Sequence, residues 1–192
     1  MVDMKHSIQS ERLLLEPLSP DNISQDYLSW MNDKSLTQYM ESRFKEYSLS
    51  DLSSYIRQIN ASKTEYLWGI FCNQNHEYVG NIKLGGINVY HKFGDIGFII
   101  GNRMFWGKGL ASEAISMATW FGFNELKLNK IKAGYYRENE GSARCLAKNG
   151  YQIVCILKND RFFNDCFVDC VEVELTHDEW IKQKHEERYC IY

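Results

Sequence analysis

The chain has 192 residues, 44% of them apolar and 24% charged, with a formal net charge of −3 from 22 basic and 25 acidic side chains. That length suits one domain, and the balance is that of an ordinary globular protein with a sizeable core. The charge carries no long run of one sign and speaks against a nucleic-acid partner. No stretch approaches the ~18 consecutive apolar residues of a membrane span, and the N-terminal apolar run is too short and interrupted for a signal peptide. The six cysteines show no CxxC and no paired metal-ligand spacing, so they read as reduced thiols of a cytoplasmic protein, with no metal.

In chain order, Arg12–Leu18 reads as a short strand ended by Pro17. Ser19-Pro20-Asp21 then opens a helix whose apolar face holds Ile23, Tyr27, Trp30 and Met31. A connector from Leu36 to Tyr47 leads to a second helix over Ser50–Asn60. Strands follow: Tyr66–Cys72, a turn at Asn73-Gln74-Asn75, Glu77–Leu84 with a break or bulge at Gly85-Gly86, and Phe93–Ile100. A helix over Gly107–Phe123 hands over to a strand at Lys130–Tyr136. A crossover helix between them predicts that these flanking strands run parallel. A short helix over Asn139–Asn149 stops at Gly150. Tyr151–Leu157, a turn at Asn159-Asp160 and Cys166–Leu175 make a last hairpin, and Thr176–Asp178 caps a polar terminal helix placed over 177–192. The expected fold class is α+β, a mixed and mostly antiparallel sheet with one parallel pair, forming a single domain with its core over about residues 10–176.

The stretch DIGFIIGNRMFWGKGLASEAI (Asp95–Ile115) concentrates the chemistry. An apolar strand passes through Gly-Lys-Gly into a helix, which presents free backbone N–H groups at the positive end of a helix dipole. Such a turn holds a pyrophosphate or similar anion. The P-loop grammar fails, because Gly101 to Gly107 is one residue too long and Gly109 stands where Ser or Thr is needed. The dinucleotide fingerprint lacks its third glycine, since Ser112 occupies that place, and a hairpin-rich sheet does not suit that fold.

The pair of motifs WGKGLASEA and NEGSARCLAKNGY resembles the acetyl-coenzyme A site of the GNAT N-acetyltransferase superfamily, in the branch of the RimJ/RimL-type enzymes. The resemblance spans roughly Arg12 to Leu175. Where the superfamily pattern has Gln or Arg three residues before the first glycine, this chain has Met104, with Arg103 one place earlier. The resemblance implies that acetyl-CoA is the co-substrate. It implies that the amides of Gly107, Lys108, Gly109, Leu110 and Ala111, with Ser112 beside them, face the coenzyme pyrophosphate. Phe98, Ile99 and Ile100 would pair with the pantetheine arm as an added strand does. Asn139 would hydrogen-bond that arm, and Ser142 would stand near the sulfur. Both Asn139 and Ser142 also suit helix capping.

Acetyl transfer to an amine requires a neutral amine, donors for an oxyanion and a proton for the leaving thiolate. Asp95 is the expected base, with a solvated strand-start carboxylate as its alternative. Ser142 is the first expected donor to the thiolate and Tyr136 the second. Trp30, Tyr39, Arg43 and Phe44 are the expected acceptor-pocket residues, and an inward-facing Arg43 would favour an acceptor with a phosphate or carboxylate. The expected activity is N-acetylation of a primary amine on a small molecule or peptide, a protein N-terminus or nucleotide-linked amino sugar included. A non-catalytic acyl-CoA-binding module is the alternative. No membrane partner is expected, and a homodimer paired through the last strand stays open.

Overall fold

The structure, a computed structural model, describes residues 6–21, 23–183 and 189–192. Among the described residues one sheet is built from β1 (Ile8–Gln9), β2 (Leu13–Pro17), β3 (Tyr66–Cys72), β4 (Tyr78–Asn88), β5 (Phe93–Ile100), β6 (Lys130–Tyr136), β7 (Gln152–Phe163), β8 (Cys166–Thr176) and β9 (Cys190–Ile191). The helices are α1 (Gln25–Asn32), α2 (Leu49–Ala61), α3 (Leu110–Asn124), α4 (Glu140–Lys148) and α5 (His177–Lys182). The strand order is β7-β8-β6-β5-β4-β3-β2-β1-β9. β5 and β6 run parallel, and the other neighbouring pairs are antiparallel. The fold is the α+β mixed sheet expected from the sequence.

Strand alternation sorts the two faces of the sheet. Trp68, Ile82 and Leu84 pack into one core with Ala114, Ile115, Ala118 and Phe121 of α3. Leu67, one residue from Trp68, points the other way into a second cluster with Tyr27 and Met31 of α1 and Leu52, Ile56 and Ile59 of α2. Each fully buried Leu or Ile contributes about 1.5–3 kcal/mol. α2 opens on a capping box, Ser48 with Asp51. Lys45, followed by Ser48, stabilises the Asp51 carboxylate and holds its pKa well below the usual range.

Several expected boundaries move. α1 is capped by Ser24, whose Oγ accepts from Asp26 N, rather than by Ser19 or Asp21, and Asn22 lies outside the described residues. The α3 helix starts at Leu110 rather than Gly107, because Gly109 takes a left-handed backbone (φ 80°) as its N-cap. The Asn159-Asp160 turn is a bulge inside β7, where the register slips between Leu157 and Arg161. The hairpin turns instead at Asn164 and Asp165, both with positive φ, the geometry that matches strand twist. β4 runs through Gly85-Gly86 to Asn88 with a shifted register. The terminal helix stops at Lys182, residues 184–188 lie outside the described set, and Cys190–Ile191 pairs with Ile8–Gln9 as an edge strand. Two-residue strands have no periodicity to read, so β1 and β9 leave no signature in the sequence.

No helix of the described residues is long and apolar enough to cross a membrane.

Candidate active site

The site begins where the parallel pair ends. β5 and β6 pair only at Phe93↔Lys130, Gly94↔Ile131 and Asp95↔Lys132. Beyond Asp95, β5 continues beside β4 as far as Ile100↔Gly80, while β6 continues beside β8 as far as Tyr136↔Cys170. The strands therefore splay, and among the described residues the β6-facing backbone edge from Ile96 onward has no strand partner. Two cavities fill the splay. An inner chamber of about 620 Å3 lies on the α1–α2 face, and an outer one of about 500 Å3 runs toward the glycine turn. Tyr39, Met40, Phe98, Ile99, Asn139 and Ser142 line both, so the two form one cleft.

At its outer end the cleft meets the start of α3. Gly107 and Gly109 have φ of 72° and 80°, and a Cβ at Gly107 would meet nothing within 4 Å. The first-turn amides of α3 have no intrahelical acceptor and carry the positive end of the dipole, roughly half an elementary charge. Arg12 fastens the turn, its Nη1 donating to the Lys108 carbonyl at 3.1 Å and its Nε to Glu113 at 2.6 Å. Glu113 is thus the tie between the turn and β2.

The expected coenzyme residues divide. Phe98, Ile99, Ile100, Gly107, Ala111, Asn139 and Ser142 line the outer cavity. Lys108, Gly109, Leu110 and Ser112 do not. Leu110 is buried in the core, and Lys108 Nζ lies 5.0 Å from the Phe105 ring. Ser112 Oγ accepts from Asn149 Nδ2 at 3.0 Å, a bond that ties α4 to α3. These four can offer only backbone. The Ile100 carbonyl is already taken by Trp106 Nε1 at 2.8 Å. Asn139 caps α4, its Oδ1 accepting from Ser142 N at 3.1 Å, which leaves its Nδ2 without a partner among the described residues. Capping and facing the cleft are compatible roles for this residue.

The acceptor and catalytic expectations are corrected more sharply. Of Trp30, Tyr39, Arg43 and Phe44, only Tyr39 lines the cleft. Trp30 is buried against Gly101 and packs on Tyr78 in a tilted pair, ring centroids 4.8 Å apart. Arg43 donates to the Gln38 carbonyl and the Tyr136 hydroxyl, both at 2.8 Å, and to the Phe162 carbonyl at 2.6 Å. It is a clamp on the β7 arm, and the argument for a phosphate- or carboxylate-bearing acceptor goes with it. Phe44 is exposed beside Arg43. Tyr136 does not line the chamber; its hydroxyl donates to Glu41 at 2.9 Å, and its neighbour Tyr135 lines the chamber instead. Asp95 also lies outside the lining. It sits on the last paired rung, half exposed, with its carboxylate 3.5 Å from Lys132 Nζ.

The chamber wall holds residues that the sequence did not single out as a site. Tyr27, Tyr47, Tyr55 and Tyr135 give it an aromatic lining, and Glu41, Asn81 and Lys83 supply polar groups. Burial raises the pKa of both Tyr27 and Tyr135, so both stay neutral hydroxyls. Burial opposes the charge on Lys83, but its 2.7 Å pair with Glu65 raises the pKa overall. The period-two placement of Asn81 and Lys83 on β4 was a readable signal; the tyrosines come from separated elements and left none. No group of three or more His, Cys, Asp or Glu that could hold a metal occurs among the described residues.

A splayed parallel pair, a helix-opening glycine turn and a cleft joining them define an acyl-coenzyme A transferase architecture. The family model described as an acetyltransferase (GNAT) domain matches residues 12–152, and the chain belongs to that family. An uncharacterised N-acetyltransferase of Bacillus subtilis, YoaA, is 29% identical over 82% of this chain and 89% of its own length. The spermidine N(1)-acetyltransferase of Escherichia coli strain K12 is 24% identical over 88% of each chain. Among solved structures, a GNAT-family acetyltransferase from Bacillus anthracis superposes with a TM-score of 0.75 at 21% identity, covering 90% of this chain and 99% of that one. The spermidine N-acetyltransferase of Vibrio cholerae, in complex with CoA and spermine, gives 0.73 at 18% identity, over 93% and 99%. The protein is an acyltransferase of the N-acetyltransferase class.

Proposed function

We propose that the protein transfers the acetyl group of acetyl-CoA directly to a primary amine, within the RimJ/RimL-like branch of its family. The observation that carries this reading is the continuous cleft from the Gly107 turn to the tyrosine-lined chamber, with the free edge of β5 along its length. The residues suit the coenzyme. Gly107 leaves open space at the turn, and the first-turn amides of α3 favour a pyrophosphate. The edge from Phe98 and the Asn139 amide suit the polar groups of a pantetheine arm.

Acetyl-CoA supplies an activated thioester when bound. The chain's own groups then have narrow tasks. Unpaired backbone N–H groups of β5 offer donors to an oxyanion. Ser142, which lines both cavities, takes the role of donor to the thiolate. Glu41 replaces Asp95 as the proposed base. It is the carboxylate in the chamber wall, and its Oε1 is held by the Tyr136 hydroxyl. Cys145 is the cysteine at the outer cavity, and burial raises its pKa, so it stays a neutral thiol and a poor nucleophile. Direct attack by the amine therefore suits this site better than an acyl-enzyme.

Acetyl-CoA at about 100 times its dissociation constant adds ~2.7 kcal/mol, or about 5–10 °C in Tm for a chain of this size. Thermal unfolding with acetyl-CoA, CoA and neither reads this shift. No shift with either ligand would reject the proposal.

A further inference from the structure

The carboxylates around the splay mostly hold a cation already. Glu65 pairs with Lys83 and Glu174 with Lys130, both at 2.7 Å, Asp95 with Lys132 at 3.5 Å and Glu41 with Arg161 at 3.4 Å. Glu172 on β8 differs. It is half-buried and has no ion pair among the described residues. Its Oε1 accepts from the Cys170 thiol, with Sγ 3.6 Å away. Burial, and after it the Glu172 charge, push that thiol's pKa up to about 11, so the thiol stays neutral and balances no charge.

Strand register puts this carboxylate at the cleft. Glu172 is paired with Gly134 of β6, so the two share a face of the sheet. Gly134 is an exposed wall residue of the inner chamber, and a Cβ on it would lie 2.8 Å from Glu172 Oε1. Two residues beyond the Asp95↔Lys132 rung, Gly97 falls on the same face as Gly134. It is also an exposed wall residue, and a Cβ on it would meet nothing within 4 Å. The two glycines leave a trough over the parted strands, with Glu172 on its β8 side. Lys83, paired with Gly97 from β4, stands on the other side, but its charge is committed to Glu65.

A half-buried carboxylate without a counter-charge beside an open trough suits a cationic ligand group. An amine that attacks the thioester must first shed its proton, and pairing with a carboxylate keeps an ammonium protonated. Glu172 therefore suits an ammonium that keeps its charge throughout the transfer, while Glu41 is the proposed base for the amine that reacts. We propose that the acceptor is a diamine, and that Glu172 is the specificity-determining residue, holding the ammonium that is not acetylated. Tyr39, Tyr135 and Phe98, half-buried in the same wall, suit the methylene spacer between the two ends. The proposal rests on the acetyltransferase reading above and names its substrate class.

The test compares diaminopropane, diaminobutane and diaminopentane, each with the monoamine of the same carbon chain, and adds aminopentanoate as the anionic counterpart. Release of CoA thiol gives kcat and KM for each. The best diamine should exceed its monoamine by about 10-fold or more in kcat/KM. Glu172→Gln should cut that advantage to about 2-fold, the statistical value for two reactive ends, mainly by raising KM for the diamine. Glu172→Lys should reverse the charge preference, so that aminopentanoate overtakes diaminopentane, a result that a merely structural role does not produce. Calorimetry with acetyl-CoA shows which variants are folded; if Glu172→Lys fails to bind it, Glu172→Gln alone decides. Equal rates for diamines and monoamines, or an advantage that survives Glu172→Gln, would overturn the proposal. If no amine turns over, the same series titrated into the CoA-bound protein must give the same ranking of affinities; no preference there also overturns it. Failure of the wild-type protein to bind acetyl-CoA would instead reject the transferase reading, a separate result.

Discussion

The variant Ala111→Trp should lose acetyl-CoA binding, with Kd raised about 100-fold or more, a loss of at least ~2.7 kcal/mol. Ala111 sits in the first turn of α3 and lines the outer cavity. An indole there enters a space of about 500 Å3, the proposed path of the coenzyme. The residue keeps helical backbone angles, so the substitution adds no strain of the kind expected at Gly107 or Gly109. Calorimetry with acetyl-CoA reads the affinity, and an unchanged far-UV spectrum and Tm show that the fold stands. Lys108→Ala is the companion. The Lys108 side chain does not line the cleft, so its loss should change Kd less than about 5-fold, the effect of one screened charge. Retained affinity in Ala111→Trp would remove the outer cavity from the coenzyme path.

The second large effect is on stability. Gly101 follows the last residue of β5, and its N–H donates to the Val79 carbonyl at 2.9 Å. A Cβ at this position would overlap the Trp30 ring, which is itself held against Tyr78. Neither side yields easily: one is backbone hydrogen-bonded to β4 and the other a buried indole at 8% exposure. Gly101→Ala should therefore cost about 3 kcal/mol and lower Tm by roughly 6–12 °C. In a Trp30→Ala background the added cost should fall by more than half, because the clash partner is gone. A Gly101→Ala protein within about 0.5 kcal/mol of the parent would mean that α1 floats on the sheet rather than packing on this glycine.

These two sites also show where the sequence was readable. The proposed coenzyme end lies within short stretches of chain: the strand to Ile100, the Gly-x-Gly turn, and the start of α4 at Asn139. Local grammar carries such features, and the structure assembles Phe98–Ile100, Gly107, Ala111, Asn139 and Ser142 along one outer cavity. The acceptor end was not local. Tyr27, Trp30 and Met31 share one helical face, and a 3.6-residue period does not separate the Trp30 packed on Gly101 from the Tyr27 and Met31 that line the chamber. Arg43 looked like a pocket cation until its partner, the Phe162 carbonyl, arrived from 119 residues away. Asp95 was misplaced because the point where β5 and β6 part depends on a register between strands separated by a whole helix. Asn81 could be put on the chamber face by alternation alone, but only the packed structure reveals that its amide nitrogen is unpaired among the described residues.

Amine-dependent release of CoA thiol, followed with mass detection of the acetylated amine, tests the account most directly. The wild-type protein should release one thiol for each amine acetylated, and only when an amine is present. Glu41→Gln should lower kcat by about 10- to 100-fold while leaving the affinity for acetyl-CoA unchanged. Acetyl-CoA that binds but remains intact with every amine offered would contradict the account and leave the protein as an acyl-CoA-binding module.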